Sequence, residues 1–202
     1  MFKKLYDHFN TYTPEQIPIE TDDISAAIIS CLHMQDEIIC SPEDLDPKEV
    51  KGVFYQYTER DGVYSEPSLK TLIIYSQNVS LEWQRMICAK ELVHVCDSRL
   101  SKAMTEEELE DLLSRLLGKA SSEDFGLADF RAAVDRIALY EGLAILFPNS
   151  AREHALDLLS KGETTLALVA NWIGLPVQLV AFVLSDKWPD VVKTFLEKPE
   201  LK

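Results

Sequence analysis

The chain has 202 residues, 47% hydrophobic and 27% charged, with a formal net charge of −14. That length and balance suit one sizeable globular core with a small appended unit. The acidic excess argues against a general binder of nucleic acid or of anionic membranes, both of which attract basic surfaces.

The opening MFKKLYDHFN is basic but carries no apolar run of the kind a signal peptide needs. The longest apolar stretch, 166–184, is interrupted by Asn171, Gly174, Pro176 and Gln178, too broken for a membrane span. Cys31, Cys40, Cys88 and Cys96 form no CxxC and no tight cluster. They read as reduced core residues of a cytoplasmic protein.

In chain order, 2–10 reads as a short helix, and Thr13-Pro14 and Ile17-Pro18 then interrupt the chain. A second helix is expected over 22–34, with Ile24, Ala27, Ile28 and Cys31 on one stripe and His33 as a surface or capping residue near its end. Strands are expected at 37–40, 52–58 and 69–76, where β-branched and aromatic residues concentrate, with Asp61-Gly62 as a turn. Together they predict a small, mostly antiparallel sheet.

The next stretch, 80–98, reads as one buried helix. Met86, Ile87, Ala89, Leu92, Val93 and Val95 place apolar residues on nearly every side, which belongs to an interior helix. Yet Arg85, Lys90, Glu91 and His94 sit within it, and buried charge persists only when paired or functional. Thr105 to Glu108 is a capping-box pattern before an amphipathic helix that ends at Gly118, and 119–126 is a polar loop. A long helix should run over 127–147 and stop before Pro148. Glu141 falls in the middle of its apolar stripe and should be buried with a partner. After a helix at 151–160, residues 163–185 have helix-turn-helix spacing, with the turn at Gly174 and with Val180 and Val183 facing inward. The second helix of that unit offers no Lys or Arg to a phosphate backbone, so it reads as a packing module rather than a DNA reader.

The segment Arg85-Met-Ile-Cys-Ala-Lys90-Glu91-Leu-Val-His94 resembles the RFTLAHELGH-type segment of the ImmA/IrrE family of zinc metallopeptidases. A strand and Asn78 precede it as in that family, Ala144-Ile-Leu-Phe-Pro148 is similar to the family's FAxxLLMP ending, and a helix-turn-helix-like unit follows. The order of elements covers about two-thirds of the chain, with the first His of HExxH replaced by Lys90 and the Gly before the last His by Val93. The resemblance implies a zincin-like α+β fold, helix-rich, over 1–150, with a helical unit over 151–202 packed on it. It implies Glu91 at the base position and His94 as a metal ligand. The third ligand position matches Asp135, thirteen residues before Pro148, with Glu141 kept as the alternative.

Catalytic zinc takes three protein ligands and keeps a fourth position for water, whereas here a lysine ammonium opposes the metal charge. The expectation is therefore a catalytically degenerate homologue without a cofactor, a pseudoenzyme that acts by binding another protein such as a regulator or repressor linked to phage, mobile elements or stress. The alternatives are an active zinc metallopeptidase with an atypical ligand set and a DNA-binding regulator using 163–185.

Overall fold

The structure, a computed structural model, describes residues 1–32, 37–48, 51–60, 62, 65–96 and 127–196, with side chains from 135 onward in the last stretch. Helices α1 (Phe2–Phe9) and α2 (Thr21–Leu32) lead into strands β1 (Glu37–Glu43), β2 (Gly52–Glu59) and β3 (Ser68–Ser76). Helix α3 (Leu81–Val93) comes next, then α4 (Leu127–Leu146), α5 (Asn149–Ser160), α6 (Leu166–Ile173), α7 (Val177–Leu184) and α8 (Trp188–Leu196). The class is α+β. His33 and the expected elements of 105–126 lie outside the described residues.

The sheet has the order β1-β3-β2 and is mixed, which corrects the mostly antiparallel expectation. Strand β2 runs antiparallel to β3, with Phe54 opposite Ile73, but β1 runs parallel to it, with Cys40 opposite Ile73. Strand-forming composition identifies strands without saying which edge each one takes. Here β2 holds one edge of β3, so β1 joins at the other. Phe54 and Ile73 are buried, and the buried Gln56 amide donates to the Thr71 hydroxyl at 3.1 Å. Ser76, the third polar side chain that the sheet buries, donates its hydroxyl to the Leu45 carbonyl at 2.7 Å.

Helix α3 lies between the sheet and α4, and Met86, Ile87, Cys88, Ala89, Leu92 and Val93 are all buried. Apolar residues around the whole circumference are explained by neighbours on every side. One apolar core runs from Phe2, Leu5 and Phe9 of α1 through α3 and α4 to Val180, Val183 and Phe195. Residues beyond 150 thus pack on the same core as those before it. Helix α6 opens at Thr165, whose hydroxyl accepts from the Leu168 amide at 3.3 Å, and ends at Gly174 with φ of 71°. That left-handed conformation suits glycine and turns the chain into α7, bent 105° from α6. Among the described residues, no single helix is long and apolar enough to cross a membrane.

Candidate functional site

Helix α3 starts at Ser80, which is its N-cap, with Glu82 in the first turn. It ends at Val93, and His94 opens a 3₁₀ turn that reaches Cys96, so the single helix expected over 80–98 is shorter than its apolar pattern. The tighter turn still leaves Lys90, Glu91 and His94 at one end of the helix. There the Glu91 side chain is 4% exposed, that of His94 10% and that of Lys90 17%.

Helix α4 supplies the second carboxylate. At Gly142 its backbone comes so close to α3 that a Cβ would stand 3.2 Å from the Lys90 backbone nitrogen and 3.0 Å from Met86 Cε. Two helical turns earlier, on the same face, is Asp135. Its carboxylate pairs with Lys90 Nζ and lies 3.6 Å from His94 Nε2. Glu141, six residues on from Asp135, points about 120° away around the helix. It is buried, at 6% exposure, but the ion pairs of Lys90 are with Glu91 and Asp135. The structure thus brings Asp135 to the α3 cluster, and it buries Glu141 on the same helix.

Lys90 Nζ sits 2.8 Å from Glu91 Oε1 as well. That contact is one of charge rather than of an aligned hydrogen bond, since Oε1 is buried without a hydrogen-bond partner. Glu91 Oε2 faces His94 Nε2 at 3.9 Å, and Phe54 of β2 covers the imidazole with ring centroids 5.9 Å apart. Behind Glu91, Gly52 closes the wall: a Cβ there would lie 2.4 Å from Ile87 Cγ2 and 2.9 Å from Glu91 Oε1. Sequence reasoning missed both Gly52 and Gly142. The signal available was the spacing of Gly142 from Asp135, a glycine two turns along one helix face.

Burial alone would push the Lys90 ammonium toward deprotonation, but the charges of Glu91 and Asp135 outweigh it and hold its pKa above the usual lysine value. Burial would likewise raise Asp135. The imidazole of His94 at 3.6 Å and the Lys90 charge outweigh that and hold its carboxyl well below the usual carboxylate range. Lys90 thus stays charged and Asp135 stays ionised far on either side of neutrality. Neither is placed to exchange a proton near pH 7, as a general acid or base must.

A zincin-type centre needs three ligands converging on one point, and the ammonium of Lys90 stands among Glu91 and Asp135. Among the described residues, no three His, Cys, Asp or Glu side chains are grouped to hold a metal ion.

Arg85 is not part of this cluster, contrary to its inclusion with Lys90 as a charge at the site. Five residues apart on a helix is about 140°, so the two cations leave opposite sides of α3. Arg85 Nη1 donates to the Ile173 carbonyl at 2.8 Å, and Nη2 donates to the Ile19 carbonyl. A Cβ at Gly174 would sit 2.2 Å from Nη1, so the glycine also makes room for the guanidinium. Arg85 ties the α6–α7 turn to the segment before α2. No protein-family model, curated protein or solved structure matches the chain.

Proposed function

We propose that the chain is a catalytically degenerate relative of the ImmA/IrrE zinc metallopeptidases, a pseudoenzyme that acts by binding another protein. The observation that carries this reading is Lys90, whose ammonium is paired with Glu91 and Asp135 where the family's motif would put a metal. One lysine brings a fixed positive charge and three donors, enough to hold two carboxylates in a space that otherwise calls for a cation. A protonated lysine and an ionised aspartate supply neither a metal-bound water nor a base near pH 7. A client such as a regulator or repressor is the partner in keeping with the resemblance. The zincin-like core and the helix-turn-helix character of 163–185 belong to the same proposal. The 105° bend between α6 and α7 is in keeping with the latter. Within Val177–Leu184 there is no Lys or Arg, which favours packing over DNA contact.

Metal analysis of the purified protein tests the reading. The wild-type chain should carry no stoichiometric zinc and show no chelator-sensitive peptidase activity. Lys90→His removes the opposing charge and restores the first ligand type, so it should take up more zinc than wild type. Tightly bound zinc in the wild-type protein would overturn the reading in favour of an active metallopeptidase. A salt-dependent shift of DNA would instead favour the third reading.

A further inference from the structure

The Lys90 cluster leaves one chemistry-bearing pair on α3 unused. Cys88 reaches across to Cys40 of β1, and its thiol donates to the Cys40 sulfur at 3.5 Å, although 48 residues separate the two in sequence. Both are free thiols; Cys88 is buried at 2% exposure, whereas Cys40 is only half-buried on an edge strand. We propose that Cys40 and Cys88 form a hydroperoxide-oxidisable dithiol that closes into a disulfide between strand β1 and helix α3. The inference is independent of whether the Lys90 site ever held a metal.

The placement divides the labour. Cys40 can be reached from solvent and accepts a hydrogen bond, so its sulfur is the one set up to attack. That bond lowers the Cys40 pKa despite partial burial. Cys88 donates the same bond and is buried, and both push its thiol pKa up, so it keeps its proton until needed. In the first step the Cys40 thiolate attacks the peroxide O–O bond. The S–O bond forms, the O–O bond breaks, and the departing oxyanion takes a proton from solvent. Sulfur is oxidised by two electrons to a sulfenic acid while the peroxide is reduced to water or an alcohol. In the second step the Cys88 sulfur attacks Cys40, the S–S bond forms, and hydroxide leaves from Cys40 and combines with the Cys88 proton as water. A thiol reductant reverses the change. The sulfurs must close from 3.5 Å to the disulfide length of about 2 Å. The oxidised chain then holds the β1 edge to the helix that carries Lys90 and Glu91.

The test titrates the full-length protein with hydrogen peroxide and tracks it by thiol counting and peptide mass mapping. Wild type should fall from four reactive thiols in denaturant to two, with a Cys40–Cys88 linked peptide that dithiothreitol removes. Cys88→Ser should stop at a dimedone-trappable sulfenic acid on Cys40. Cys40→Ser should react about tenfold more slowly or less and give no linked peptide. Four surviving thiols in wild type, a link between other cysteines, or sulfenic acid absent from Cys40 in Cys88→Ser would each overturn the proposal. If either variant fails to fold, the peptide map of the oxidised wild type decides alone.

Discussion

Among the described residues, two lysines each bridge two carboxylates, and they differ in little except where those carboxylates lie. On the sheet, Lys70 of the central strand reaches Glu37 of β1 at 3.0 Å and Glu59 of β2 at 2.8 Å. Between the helices, Lys90 reaches Glu91 and Asp135. The two lysine side chains are almost equally covered, at 16% and 17% exposed. Their partners are not: Glu37 and Glu59 are 57% and 50% exposed, against 38% for Asp135 and 4% for Glu91. Water and salt screen both carboxylates of the first group but, of the second, reach Asp135 only partly and Glu91 hardly at all. The same charge arithmetic is thus a surface staple in one place and a buried constraint in the other. The carboxylates, rather than the lysine, mark the difference.

Removing the buried cation should have the largest effect. Lys90→Ala leaves Glu91 buried and Asp135 without its counter-charge. Losing one partner of a buried pair costs about 3–5 kcal/mol, and the partial exposure of Asp135 lowers the expectation here to about 2–4 kcal/mol at pH 7. The pH dependence identifies the cause. Asp135 has a depressed folded pKa, so its stabilisation is present above the unfolded value of about 4 and is lost as pH falls through the folded value. Lys90 has a raised folded pKa, so its share is present below the unfolded value of about 10 and is lost as pH rises through the folded one. Urea unfolding should therefore show a gap between wild type and variant that is flat from about pH 5 to 9 and narrows below about pH 4. A gap unchanged down to pH 3 would mean that the lysine acts by packing rather than by charge.

A change behind the cluster sharpens the contrast without touching a charge. Gly52→Ala places a methyl 2.4 Å from Ile87 Cγ2 and 2.9 Å from Glu91 Oε1. Overpacking of this kind costs about 1–3 kcal/mol. The loss should appear as a lower urea midpoint with an unchanged slope. A variant as stable as wild type would show that the wall behind Glu91 yields.

The same physics decides how much of the molecule was legible in its chain. An α-helix over 81–93 was readable because apolar residues surround it, and its interior charges stood out against that background. Its end at Val93 was not, because Val95 continues the apolar pattern while the backbone tightens into a 3₁₀ turn. The stripe on α4 singled out Glu141, which is buried as its place on the stripe requires. That helix is buried on several sides near its C-terminus, from Leu143 to Phe147, so apolar periodicity does not identify the face that meets α3. Gly142 does, by close approach, and it points to Asp135. The direction of β1 depends on which edge of β3 was free, a property no strand carries in its own residues.

A milder change separates the two carboxylates of the buried lysine. Asp135→Asn removes the more exposed one and leaves Glu91 to hold Lys90. With a side chain 38% open to solvent, its loss should cost about 1 kcal/mol at pH 7. The cost should fade as pH drops below about 4, where the wild-type stabilisation is itself being lost. A loss as large as that of Lys90→Ala would mean that Asp135, rather than Glu91, carries the pair.

The smallest effect should come from the surface counterpart. Lys70 lies opposite Glu37 in the parallel register and opposite Tyr57 in the antiparallel one, with Glu59 two residues further along β2. The hydrogen bonds to Glu59 and Glu37 hold its pKa above the usual lysine value, but both carboxylates stand in water. Lys70→Ala should therefore lower stability less than any change at Lys90, and the difference from wild type should shrink in about 1 M NaCl, where the screening length is only about 3 Å. The contribution of Lys90 should persist in the same salt. Thermal melts of both variants at low and high salt make the comparison directly. If Lys70→Ala proved the more damaging and insensitive to salt, exposure of the carboxylates would not be what distinguishes the two sites, and the lysine stem packed along β3 would be the alternative cause.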